Sequence, residues 1–254
     1  MNDRMEDSTI SAYHEEIKGL GAEKNRKLLE EARRYNKALY KENVRVTDPF
    51  QEQTMGELEP YTYNKLLSTG ASGVMGTINI PSINVMLPIY HGTSDEVLRK
   101  GVGHLKGTSL PVGGTSTHAV LTGHTGLSSA KLFTDLVQLE KGDIFIISVC
   151  GEKIAYKVFR IDVVLPKDTK SLRIYEGKDY VTLITCTPYG INSHRLLVRG
   201  ERTEYKEGME DQVKKHPVSQ SQWMKAYRTA IIIGLAVVAI LITISKIIKK
   251  RKKI

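Results

Sequence analysis

The stretch that most constrains this chain is residues 180–199, Y-V-T-L-I-T-C-T-P-Y-G-I-N-S-H-R-L-L-V-R. Val181, Thr182, Leu183, Ile184 and Thr185 are β-branched or apolar and predict a buried strand. Pro188 cannot donate to a sheet ladder and Gly190 accepts dihedrals closed to other residues, so Pro188-Tyr189-Gly190 ends that strand. Leu196, Leu197 and Val198 begin a second one. Two strands joined by a short turn leave Cys186 at the end of one and Arg195 at the start of its neighbour. A strand end holds a side chain rigidly while the loop beyond leaves it open to a substrate.

On position alone, Cys186 reads as a small buried hydrophobe, the usual state of a free cysteine. Its company points further. Upstream, residues 119–126 read A-V-L-T-G-H-T-G, an apolar run ending in His124. A cysteine, a histidine and an arginine are a nucleophile, a proton carrier and a cation for a developing oxyanion, the parts of acyl transfer through a thioester. Seven histidines compete for the middle role. His14 and His216 lie in polar stretches expected to be solvated, His91 and His104 sit beside glycines in expected loops, and His118 only precedes a strand. His194 adjoins Arg195, and adjacent strand residues face opposite ways, so the two should not both point at Cys186. His124 terminates its strand as Cys186 does, and is the one selected.

The rest of the chain sets this pair of strands in a mainly β domain. Segments 76–80, 85–89, 119–123, 143–149, 153–165, 180–186 and 194–199 read as short strands punctuated by Gly, Pro and Asn, a pattern of closed barrels and sandwiches. Segments 95–100 and 131–139 read as short helices. Leu28, Leu29, Ala32, Tyr35 and Leu39 recur at helical spacing through 23–40, giving an amphipathic helix packed on the main domain. Residues 229–245 are uncharged, 17 in number, preceded by Trp223 and Tyr227 and followed by a basic tail. That predicts a single membrane span with the tail in the cytoplasm and the main domain outside. Asp3, Arg4, Glu6 and Asp7 rule out an apolar signal core at the start of this sequence, so an export segment is expected to have preceded it.

The net charge is +9, and Lys246, Lys249, Lys250, Arg251, Lys252 and Lys253 carry six of those charges. The folded part is therefore near neutral, with no basic stripe interleaved with aromatics, and nucleic-acid binding is not expected. No C-x-x-C or H-x-x-x-H spacing is present, so neither a metal nor another cofactor is expected. Of the two cysteines, Cys150 follows an apolar run and reads as packing; a catalytic Cys186 must stay a free thiol.

T-L-I-T-C with an arginine nine residues on, preceded by L-T-G-H-T-G, resembles the sortases, cysteine transpeptidases of Gram-positive cell surfaces. The resemblance runs over about residues 74–199 and includes G-V-G-H-L-K-G-T-S-L-P-V-G-G at 101–114. Asp48-Pro49-Phe50 and the C-terminal hydrophobic segment are similar to features of the pilin-polymerising class C branch. The resemblance implies an eight-stranded β-barrel, with Cys186, His124 and Arg195 catalytic. Asp48, Pro49 and Phe50 become a lid, with Asp48 against Arg195 and Phe50 over Cys186. The organisation that follows is a helical region over 1–43, a lid segment over 44–63, a barrel over 64–205, a linker over 206–228, a membrane helix over 229–248 and a basic tail over 249–254. The implied partners are pilin subunits carrying a Leu-Pro-X-Thr-Gly-like sorting signal and an acceptor lysine. Three alternatives stay open: transfer to a cell-wall precursor, a cysteine protease with water as acceptor, and a membrane-anchored barrel without chemistry.

Overall fold

The computed structural model describes residues 2–42, 47–50, 58, 61–70, 72–126, 131–213, 215–216 and 231–234, with side chains from residue 5 onward. Residues 1–217 form one compact unit and 218–254 a second. In the second unit residues 231–234 are helical and exposed. Among the described residues no helix is long and apolar enough to cross a membrane. The rest of the predicted span over 229–248 lies outside the described residues, as do most of 44–63 and the basic tail.

The first unit is a closed barrel of eight strands in the order β1-β2-β3-β4-β7-β8-β6-β5. They are β1 (Val74–Ile80), β2 (Val85–His91), β3 (Val102–His104), β4 (Thr117–Thr122), β5 (Ile144–Val149), β6 (Glu152–Val164), β7 (Asp179–Thr187) and β8 (His194–Thr203). Cys150 and Gly151 join β5 to β6, both at positive φ (46° and 83°), the two-residue turn whose twist suits a tight hairpin. The β2–β3 and β4–β7 pairs are parallel, so each needs a crossover. Helix α2 (Asp95–Lys100) makes the first, and the β5–β6 hairpin lies within the second.

Sequence periodicity identified seven of the eight strands. It missed β3, which is only Val102-Gly103-His104 and has no alternating pattern; its pairing with β2 and β4 on either side makes it a strand. The expected helix over 131–139 is a shorter 3-10 turn, Thr134–Gln138. Four expectations about histidines need correction. His118 does not precede a strand but lies within β4, fully buried. His91 ends β2, and His104 lies in β3 and is fully buried. His216 is not solvated: its side chain pairs with Asp143 at 2.8 Å and its backbone N–H donates to Ser82 O at 2.6 Å.

The barrel interior carries the core. Gly200 on β8 leaves room for the stacked rings of Phe145 and Tyr156; a Cβ there would meet Phe145 at 2.6 Å and the Tyr156 Cβ at 2.9 Å. On the outer face Leu105, Val120, Leu172, Ile184 and Leu197 form a second apolar cluster, against which Phe50 and Val164 pack. With apolar cover on both faces, β7 is buried almost throughout, which is why it reads as a continuous apolar run rather than an alternation.

Helix α1 (Asn2–Glu42) is longer than its periodic stretch and breaks at Gly21, whose φ of 77° and ψ of 164° are open only to glycine. The break frees the Ile17 carbonyl, and Asn25 Nδ2 donates to it at 2.8 Å. The first half buries Ile10, Tyr13 and Ile17; the second buries Leu29, Ala32, Tyr35 and Leu39. Tyr13 Oη accepts from Cys150 N–H at 3.0 Å and donates to Met75 O at 3.3 Å, at the β1 start and the β5–β6 turn. Asn36 makes a two-way pair with the Leu110 backbone, at 3.0 and 2.7 Å. The helix thereby docks on strand ends opposite those that carry Cys186.

Candidate active site

Parallel pairing of β4 with β7 matches Thr122 to Ile184. Past the last pair, Gly123 N–H donates to Ile184 O at 3.0 Å, and Thr185 Oγ1 donates to Gly123 O at 2.7 Å. These bonds bring His124, the next residue, level with Cys186 on the neighbouring strand. Gly123 is required by packing: a Cβ there would meet the Phe133 ring at 2.7 Å. Antiparallel pairing of β7 with β8 sets Cys186 opposite Arg195, and cross-strand partners share a face of the sheet. The neighbouring pair, Thr187 and His194, turns to the other face, which separates His194 from the site.

Asp48 is 3% exposed and grips Arg195 in both directions of the guanidinium fork. Arg195 Nε donates to Oδ1 at 3.0 Å and Nη2 to Oδ2 at 2.7 Å, the bidentate geometry that makes arginine–carboxylate pairs strong. Nη1 donates to the carbonyls of Asn192 and His194 at 3.1 and 3.2 Å. The Phe50 ring lies 4.7 Å from the Arg195 guanidinium carbon and 5.8 Å from the His124 ring, tilted by 36°. Pro49 sits between Asp48 and Phe50 in the turn that presents them. Cys186 is only 9% exposed.

Burial pushes the Cys186 thiol pKa up; the Arg195 charge pulls it down and the Asp48 carboxylate pushes it up again. Desolvation opposes the charged form of Arg195, but its hydrogen bonds to Asp48, with the nearby thiol, raise its pKa on balance. The cation that could support a thiolate or an oxyanion is thus engaged by a carboxylate. Both cysteines are free thiols, and the Cys150 pKa is pushed up to about 12 by burial and the nearby Glu152 charge. Cys150 lies in the β5–β6 turn beside Tyr13, at the far end of the barrel.

Sequence reasoning did not single out Asp95. It opens α2 and places Oδ1 3.5 Å from His124 Nε2, with Arg99 Nε on its other oxygen at 2.8 Å. No pattern in the sequence links residues 95 and 124; the chain fold does. Nor did it find the buried histidine contacts that fix the loops around the barrel. His118 bonds Arg173 O and Thr182 Oγ1, each at 2.7 Å, and His104 bonds Tyr63 Oη and Ser109 O, each at 2.8 Å. Among the described residues no cluster of three or more His, Cys, Asp or Glu could hold a metal ion.

The family description "Sortase domain" matches residues 78–203, the stretch from β1 through β8. The fold is similar to that of sortase C-1 from Actinomyces oris, at 52% identity and a TM-score of 0.67, covering 71% of this chain and 99% of that one. The chain belongs to the sortase family. It is also similar to sortase C1 of Streptococcus agalactiae, at 46% identity and a TM-score of 0.72 over 79% of this chain and 99% of that one. With sortase D of Bacillus subtilis it shares 32% identity over 130 residues, 50% of this chain and 63% of that protein. The sortase described here thus spans less than two thirds of the length of the curated relatives it matches. Sortases are cysteine transpeptidases, and the trio Cys186, His124 and Arg195 has the chemical parts for that reaction.

Proposed function

We propose that this sortase is a pilin-polymerising transpeptidase whose active site is closed by its own chain. The observation that carries the reading is the bidentate grip of Asp48 on Arg195 beside Cys186, with Phe50 packed on Arg195 and His124. The high identity to sortases named C-1 and C1 supports the class. Cys186 Sγ attacks the threonine carbonyl of a Leu-Pro-X-Thr-Gly-like signal. The C–S bond forms, the Thr–Gly C–N bond breaks, and His124 delivers a proton to the departing glycine amine. Arg195 steadies the oxyanion. An amine, the side chain of a pilin lysine, then attacks the thioester; His124 takes its proton and Cys186 is released.

The Asp48-Pro49-Phe50 turn is the lid in this scheme, because Arg195 cannot serve an oxyanion while both oxygens of Asp48 hold it. The C-terminal segment over 229–248 anchors the enzyme in the membrane with the barrel outside the cell, supported by its apolar run and the basic tail. The test is intact-mass spectrometry of the full chain in detergent after incubation with a sorting-signal peptide. Wild type or Phe50→Ala should gain the mass of the peptide cleaved after threonine, and Cys186→Ala should not. An added amine should appear in the released product. Absence of the adduct in both cysteine-containing proteins across several signal peptides would sink the proposal.

A further inference from the structure

Asp95 is not among the three groups to which the reaction is assigned, yet the fold holds it beside His124. Helix α2 is seated tightly on β3. Leu98 is 2% exposed, and a Cβ on Gly103 would meet Leu98 at 3.0 Å and Val97 at 3.2 Å, as well as the Gly92 carbonyl. Gly103 pairs with Thr122, two residues before His124. A glycine in β3 therefore lets α2 sit close enough for its first turn to reach the residue that follows β4. Ser94 Oγ accepts from Val97 N–H at 3.3 Å and fixes that first turn. Asp95 Oδ1 then lies 3.5 Å from His124 Nε2, and Oδ2 is held by Arg99.

We propose that Asp95 is a positioning residue for His124: it accepts from Nε2–H and so fixes the ring and tautomer that leave Nδ1 to exchange protons with Cys186 and the substrate. The inference rests on the reading above that His124 moves the proton. In thioester formation the proton leaves Nδ1 for the glycine amine while Nε2–H stays on Asp95, so His124 ends neutral and correctly oriented to take a proton from the incoming amine. The contact is long for a hydrogen bond, and such contacts tighten when substrate is bound. Among the described residues, the other charged and titratable groups around the ring are Cys186, Arg195 with its partner Asp48, and Arg99 behind Asp95. Arg195 is neutralised by Asp48, which among the described residues leaves Asp95 as the carboxylate facing Nε2. Its side chain is 68% exposed, so its influence is that of a solvated pair, about two- to fivefold in rate, rather than that of a buried triad carboxylate.

The test uses the full chain in detergent, labelled with nitrogen-15 histidine, as wild type, Asp95→Ala and Asp95→Glu. Ring nitrogen shifts at a pH where the imidazoles are neutral report the tautomer, and thioester formation on a sorting-signal peptide reports kcat and KM. Wild type should show His124 as the Nε2–H tautomer and Asp95→Ala a mixture of tautomers. The Asp95→Ala kcat should fall two- to fivefold with KM unchanged, and Asp95→Glu should restore both signals. An unchanged tautomer in Asp95→Ala, with or without a slower rate, overturns the assignment. If wild type consumes no peptide while the tautomer still changes in Asp95→Ala, the role of Asp95 stands and the transpeptidase reading falls.

Discussion

Cys186 sits between influences of opposite sign. Burial and the Asp48 carboxylate keep its proton on, and Arg195 works to take it off. Removing Asp48 should therefore lower the thiol pKa and free the guanidinium in one step. In Asp48→Asn the side-chain volume is kept, so a rate change there reads charge; in Asp48→Ala it reads charge and access together. Alkylation of Cys186 by iodoacetamide at pH 7.5 is expected to speed up about three- to tenfold in Asp48→Asn, because the carboxylate that favours the protonated thiol is gone. An Asp48→Asn protein that alkylates no faster, with its circular dichroism intact, would show that the carboxylate does not hold the thiol down. Arg195→Lys should not substitute for arginine, because an ammonium cannot reproduce the two-pronged pairing with Asp48.

At the scale of elements, the loops and helix around the barrel are tied down by buried polar groups, and these should dominate its response to mutation and pH. Asn36 is 2% exposed and satisfies both the N–H and the C=O of Leu110. Asn36→Ala orphans the buried Leu110 N–H, while the Leu110 carbonyl keeps the Val112 N–H at 2.8 Å, and should cost about 1 to 3 kcal/mol in urea unfolding, more than the loss of one surface contact. His104 on β3 and His118 on β4 are buried as neutral rings, and burial lowers both pKa values from 6.5 to about 4. Between those values the unfolded chain binds protons that the folded chain does not. The stability these two histidines contribute is thus complete above pH 6.5 and is lost as the pH falls toward 4. By pH 5 each should cost about 2 kcal/mol. The measurement is the urea midpoint at pH 7.5 and pH 5; equal midpoints would mean that the two rings are not held neutral.

The whole molecule joins a barrel with the candidate site at one end and the Tyr13 and Asn36 contacts of α1 at the other to a C-terminal segment of different character. On the proposed topology, the full chain should sediment with membranes and resist carbonate extraction. A chain ending before Trp223 should stay in the supernatant. A full chain that washes off with carbonate would remove the anchor from the proposal, while leaving the barrel chemistry untouched.

The sequence by itself determined the strand that ends in Cys186, the strand that begins near Arg195 and the apolar run that delivers His124, because period-two patterning and turn residues are local signals. It also carried the amphipathic half of α1. It did not carry β3, whose three residues have no pattern of their own and exist as a strand through pairing with two neighbours. Nor could it carry the burial of His104 and His118 or the pairing of His216 with Asp143, since glycine neighbours or a charged stretch look the same whether a loop is wet or packed. The meeting of residue 48 with residue 195 was implied by the family resemblance and by no local pattern, and the tertiary structure alone decided that residue 95 would meet residue 124. Those contacts depend on barrel closure, on the parallel pairing of β4 with β7 and on a glycine in β3, all of them long-range conditions that no short window of sequence contains.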